Sequence, residues 1–185
     1  MITLRQVLKN IIHGQSGLRI KAIIADLENT YKQLQKDISI NYAMFEVGGT
    51  TVYFKIPSQD KKIFYDIVVW FKSQSRITLD TEFKVYSNSP FFAYNLAYVF
   101  NKEDSLLFPN YYPAIFIRQP PKVRNPLEIT GFDKHVYAAL KTISKTNLED
   151  LVKSFETKSE PNVFNFEEKV KETDYLKKKG LLNKS

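Results

Sequence analysis

INYAMFEVGGTTVYFKIP, residues 40–57, decides the fold. Residues 40 to 47 and 50 to 56 flank Gly48-Gly49, the signature of two antiparallel strands joined by a two-residue turn. In the second run Val52, Phe54 and Ile56 alternate with Thr51, Tyr53 and Lys55, and Pro57 closes it. The next segment, KKIFYDIVVWFKS (61–73), is apolar at nearly every position from Ile63 to Phe71. Such a run predicts a strand covered on both faces. A polar turn at Ser73-Gln74-Ser75-Arg76 leads into ITLDTEFKVYS (77–87), which alternates again. The expected fold class is α+β, built on an antiparallel four-stranded meander.

Helical periods surround the meander. From Gly17 to about Ile38 the apolar positions are Ile20, Ile24, Leu27, Tyr31, Leu34 and Ile38, at steps of 4 and 3. They form one narrow stripe on a long N-terminal helix, with Ser16 as its cap. Packing across the chain's own sheet is the simpler use of that stripe, and pairing with a helix of a neighbour is the alternative. A shorter helix is expected from about Thr3 to Ile12, ended by His13-Gly14. Asn88-Ser89-Pro90 reads as a helix start, with Ser89 as cap and Pro90 at the first helical position. The run FFAYNLAYVFNK (91–102) is apolar almost all round, which predicts a deeply covered helix, with a strand as the competing assignment. Phe132, Val136, Leu140 and Ile143 recur at helical spacing, and NLEDLVKSF (147–155) continues as a second short helix.

Between these helices lies SLLFPNYYPAIFIRQPPKVRNPLE (105–128), with prolines at 109, 113, 120, 121 and 126. Prolines so spaced exclude a long helix or a central strand. Phe108, Tyr111, Tyr112 and Phe116 are nevertheless too apolar for a solvated loop, and part of the segment is expected to cover a partner. Residues 1–156 read as a single domain that includes this extended stretch, 103–131. Residues 157–185 form a charged C-terminal arm in which Phe164, Phe166 and Val170 are the anchors, ending in YLKKKGLLNKS. The tail from about Lys171 has few apolar residues and is expected to order only when something holds it.

Composition narrows the chemistry. The chain has 185 residues, 14% aromatic, a net charge of +7 and no cysteine, so disulfides and thiolate metal sites are excluded. The N-terminal run is interrupted by Arg5 and Lys9, unlike a secretory leader, and no stretch approaches the ~18 apolar residues of a membrane span. The two histidines, His13 and His135, lie in different elements without a histidine partner at i+3 or i+4. His13-Gly14-Gln15-Ser16-Gly17 lacks the G-x-S-x-G spacing of a nucleophile elbow. No phosphate-binding glycine loop is present. Asp66, followed on the next strand by Glu82-Phe83-Lys84, resembles the PD-(D/E)-x-K nuclease pattern, in which carboxylates hold Mg²⁺. Glu28 would be its helical acid, but Tyr65 stands where proline is usual. Asp80, Glu82 and Lys84 also share one face of an alternating run, as a solvated face does. Nucleic-acid binding is a further alternative, weakened because the aromatic region 83–116 carries few cations.

Assembly is therefore the expected role, without an enzyme activity, cofactor or metal, and without a membrane. Tyr and Phe supply contact area at low side-chain entropy cost, and proline lowers the entropy of a free arm. The expected partner interface is Phe108, Tyr111, Tyr112, Phe116 and Arg118, with Lys177, Lys178 and Lys179 of the tail. The stretch LDTEFKVYSNSPFFAYNLAYVFNKEDSLL (79–107), followed by RNPLEITGFDKHVYAAL (124–140), resembles segments of tailed-bacteriophage virion proteins. That resemblance, over about residues 79–140, implies a head–tail connector, neck or tail subunit in the virion. It would assemble in the host cytoplasm, in a ring of its own copies and with other structural proteins.

Overall fold

The computed structural model describes residues 1–13, 17–121, 125, 128 and 130–157. The chain opens with β1 (Ile2–Thr3), α1 (Leu4–His13) and α2 (Gly17–Leu34). Four strands follow: β2 (Ser39–Glu46), β3 (Gly49–Pro57), β4 (Phe64–Phe71) and β5 (Glu82–Ser87). Then come α3 (Pro90–Asn95), α4 (Ala97–Lys102), a 3-10 turn at Pro109–Tyr111, α5 (Ala114–Arg118), α6 (Lys134–Ile143) and α7 (Leu148–Glu156). The architecture is α+β, as expected, but the antiparallel sheet has five strands in the order β1-β5-β4-β3-β2. The four-strand meander is intact. β1 adds an edge, with Ile2 opposite Phe83, and two residues are too few to show a period in sequence.

The hairpin turn is Val47-Gly48, one residue earlier than the glycine pair suggests, because Glu46 stands opposite Gly49. Gly48 takes φ +79°, a left-handed conformation that glycine adopts freely. Gly49 is required for space instead. A Cβ there would lie 2.2 Å from the Phe71 carbonyl oxygen and 2.7 Å from the Trp70 ring. β5 also starts later than the alternation implied. The Thr78 amide donates to Thr81 Oγ1 (2.8 Å) and the Thr81 amide to the Thr78 carbonyl (3.2 Å), making a turn. Arg5 fixes that turn through its amide on the Leu79 carbonyl and its guanidinium on Asp80.

One face of the sheet is the main core. Val52, Phe54 and Ile56 stand opposite Val69, Ile67 and Tyr65, and Phe83 and Val85 extend the layer across β5. α6 lies on this face, its His135 ring 4.4 Å from that of Tyr65, and α4 sets Phe100 against Phe83. On the other face Tyr53, Asp66, Val68 and Tyr86 are buried as well, so β4 is covered on both sides. Asn147 caps α7, which packs on the outer strand β2 with Phe155 against Tyr42. Among the described residues no helix is long and apolar enough to cross a membrane.

The long helix follows α1 and ends at Leu34, short of the expected Ile38. It packs on α6, which in turn lies on β3 and β4. Its inward face is turned one position from the expected stripe: Leu27, Thr30 and Leu34 are buried while Ile24 is 44% exposed. The rotation brings Glu28 to Tyr137 and Lys141 of α6. Hydrogen bonds from Lys141 and then Tyr137 hold the Glu28 carboxyl below its ordinary range. Residues 91–102 are helical, as expected, yet in two pieces broken at Leu96, where φ is −120°. The side-chain amide of Asn95 donates to the Phe91 carbonyl at 2.7 Å just before the break.

Gly49→Ala is expected to destabilise the protein by about 3 kcal/mol, since backbone and a packed indole must both give way. Gly48→Ala, which meets no atom within 4 Å, is expected to cost about 1 kcal/mol through its φ alone. Urea unfolding of the two variants beside the parent checks the order, and a milder effect at position 49 would contradict it.

Candidate functional site

The proline-aromatic segment divides between core and surface. Residues 105–107 run along the β5 edge, with the Val85 amide on the Ser105 carbonyl and the Leu107 amide on the Val85 carbonyl, both at 2.9 Å. Phe108 then turns the chain in a left-handed conformation, φ 51°. Tyr112 is only 4% exposed, contrary to its expected place on a free surface. Its hydroxyl accepts from the Ser87 amide (3.0 Å) and donates to the Ser87 carbonyl (2.8 Å), where β5 ends. Tyr86 gathers the rings of Phe108, Tyr111 and Tyr112 within 6.4 Å, and Phe108 and Tyr111 are half-buried there. Burial pushes the Tyr86 and Tyr112 phenols well above their ordinary range and keeps them neutral. This part of the segment is a lid on the chain's own sheet, because a buried β5 terminus needs its amide and carbonyl paired.

α5, by contrast, buries no residue fully. Phe116 is half-buried on α5 with its ring 4.4 Å from Tyr94 of α3, and Arg118 ends the helix exposed. Ile115 is 57% exposed, and Phe91 and Tyr94 are each 46% exposed. This bare flank departs from the cover all round expected of 91–102. The missed signal is the i, i+3 spacing of Phe91 and Tyr94, which sets both on one face while Phe92, Ala93 and Asn95 turn inward. Lys177, Lys178 and Lys179 lie outside the described residues, as do the Phe164, Phe166 and Val170 anchors and the tail from Lys171.

Beside Phe91 a groove of about 370 Å³ opens between α2, α3 and α6. Its walls are Ile23, Leu27, Phe91, Leu96 and Phe132, with Asp26 and Lys134 paired at 2.9 Å. Asp133 and His135 line it from the start of α6. Asp133 is buried and caps α6 by accepting from the His135 amide. It also accepts from the Ser89 hydroxyl and meets His135 Nδ1 at 3.3 Å. Ser89 in turn caps α3 by accepting from the Phe92 amide at 3.2 Å. Serine, aspartate and histidine are thus neighbours, but the aspartate stands between the other two. The histidine cannot take the serine proton, so the trio caps helices rather than activating a nucleophile. Burial acts to raise the Asp133 carboxyl, and the bonds from His135 and Ser89 outweigh it, holding the group below its ordinary value.

The nuclease-like residues are not brought together. Asp66 stands opposite Asn88, whereas Lys84 stands opposite Trp70, four residues away on the same strand. At ~3.3 Å per residue that is roughly 13 Å. Asp66 is buried against the Tyr53 hydroxyl and the Asn88 amide, Glu82 pairs with Lys72, and Lys84 pairs with Asp104. Glu28 belongs with α6, across the sheet from Asp66, since the adjacent Tyr65 is the residue that meets α6. Among the described residues no three acidic or histidine side chains gather as a metal site.

Tyr112→Phe is expected to cost about 1–3 kcal/mol, because it strands the buried Ser87 amide. Thermal unfolding of the folded variant reads this directly, and an unchanged midpoint would reassign Tyr112 to the surface. Asp133 has a folded pKa below its unfolded value of about 3.9, so its contribution is full above that pH and lost as pH falls through the folded pKa. Asp133→Asn should therefore be less stable than the parent at neutral pH, with the gap narrowing below about pH 4. A gap that stays constant with pH would remove the charge from the explanation. No protein-family model matches the chain, and no curated protein or solved structure is significantly similar to it.

Proposed function

We propose that the protein is a non-enzymatic assembly subunit whose docking surface is the aromatic face of α3 and α5. The observation that carries this reading is the exposure of Phe91, Tyr94 and Ile115 beside half-buried Phe116, next to an apolar groove. Large aromatic and branched side chains clustered on one face give up burial worth roughly 1.5–3 kcal/mol each, and such patches usually mark contact sites. Arg118 at the patch margin suits an interface rim. The partners are copies of the same chain in a ring and other structural proteins. The setting in a phage neck or tail rests on the resemblance of residues 79–140 alone, and the virion is the corresponding location.

Nucleic-acid binding is the weaker reading. On the body, Arg5, Lys55, Lys61, Lys72, Lys84, Lys102, Lys134 and Lys141 each have a carboxylate within 4 Å. Their charge is spent locally and does not form a continuous track for phosphates. The aromatic face itself is flanked by few cations.

Light scattering on the full-length protein tests the assembly reading. The parent is expected to run as a multimer, and Tyr94→Ser with Ile115→Ser as a monomer of unchanged thermal midpoint. Phe64→Ser, at an exposed apolar position on the sheet, serves as control and should leave the multimer intact. A monomeric parent, or one that purifies with bound nucleic acid, would overturn the proposal.

A further inference from the structure

We infer that the groove between α2, α3 and α6 binds a neutral two-ring aromatic compound that carries a single N–H or O–H donor. The inference goes beyond the assembly reading and does not rest on it. At about 370 Å³ the groove lies in the size range of small-molecule sites, roughly 300–1,000 Å³. A cavity of about 150 Å³ holds one benzene ring, so this one takes two fused rings. Leu27 and Leu96, each 5% exposed, give the site a covered apolar wall. Phe91 of α3 and Phe132 before α6 add ring surface, and Phe91 is exposed enough to be covered by a bound ring.

One polar atom sets the chemistry. Asn95 lines the groove and is only 4% exposed. Its side-chain nitrogen donates to the Phe91 carbonyl at 2.7 Å, which fixes the amide with its oxygen turned away from that carbonyl. Among the described residues Asn95 Oδ1 receives no hydrogen bond. A covered acceptor without a donor costs free energy, and a ligand N–H or O–H supplies that donor. His135 Nε2 also lacks a partner, but it is sealed from solvent. The acceptor open to a ligand is therefore Asn95 Oδ1.

The other polar side chains of the wall are engaged. Thr130 accepts from Asn10 at 2.6 Å, and Asn125 donates to the Asn95 backbone carbonyl at 3.0 Å. Lys134 pairs with Asp26, and Asp133 holds Ser89 and His135. Two carboxylates against one ammonium disfavour an anionic ligand. A cation is disfavoured too, because both carboxylates already have partners and one amide oxygen cannot compensate a covered charge. A neutral ring system with one donor meets every one of these conditions.

Calorimetric titration of the full-length protein with indole and with benzofuran tests the assignment. The two probes have the same shape, but benzofuran carries an oxygen where indole carries its N–H. Indole is expected to bind about tenfold more tightly, since benzofuran leaves the Asn95 oxygen unpaired and sets a second acceptor against it. Indole-3-acetate, an anion, should bind more weakly than indole. Ile23→Trp, which fills the groove from α2, should abolish indole binding. Asn95→Leu, if it folds, should bind the two probes alike. No indole binding, equal affinity for both probes in the parent, or binding untouched by Ile23→Trp would each overturn the inference. The assembly reading is judged separately, by the mass of the parent without any probe.

Discussion

The Asp133 carboxylate joins the starts of two helices that are 44 residues apart in sequence. One oxygen serves the α6 start and His135, and the other accepts from Ser89, whose own oxygen caps α3. Each helix start has unpaired amides that need an acceptor, and a buried charge needs donors. The arrangement satisfies both needs at once. It also sets the position of the exposed aromatic face and of the groove beside it. α3 carries Phe91 and Tyr94, α6 forms one wall of the groove, and α2 is held to α6 through Glu28. Loss of the carboxylate would free α3 to shift, and with it the exposed aromatic face.

Tyr112 plays the corresponding part at the edge of the sheet. Its hydroxyl completes both polar groups of Ser87, so β5 ends without an unpaired backbone group although no further strand follows there. The prolines at 109 and 113 hold the approach to Tyr112 in a tight turn, and the chain reaches the surface only afterwards, at α5. A segment that looks uniform in sequence therefore divides by position into a covered part and an exposed one. Phe108 to Tyr112 seal the sheet, and Ile115 and Arg118 lie exposed on α5.

Most of the sheet is legible from sequence because period-two alternation and a glycine turn are local signals. The helix from Pro90 is legible through its cap and that from Lys134 through its apolar spacing, with 147–155 following as a second short helix. Four features are not. β1 has only two residues. The register of α2 depends on Glu28 meeting Tyr137 and Lys141, more than a hundred residues away, and no stripe within α2 reports that. The open side of α3 is hidden because an aromatic run looks the same whether one flank is covered or bare. The groove was unreadable on the same ground, since its walls come from residues 23–27, 91–96 and 130–135.

The β5 edge has a further meaning for how the chain comes into being. The Ile2 amide donates to Ser105 Oγ at 2.7 Å, and residues 105–107 run along the same edge that β1 begins. The first strand pairs with β5 through residues 82 and 83, and its Ile2 amide is completed only by Ser105, 103 residues later. During synthesis the meander from β2 to β5 and its β1 edge precede residues 105–107, so the β5 edge at Val85 lacks its partner until those residues are made. Closing so long a loop is slow, and it is the step at which an unpaired strand edge stays open to other chains. The nascent chain is thus most open to other strands along β5 beyond Phe83, before residues 105–107 are made. A chaperone or an N-terminal fusion would act on the protein at that moment and at that edge.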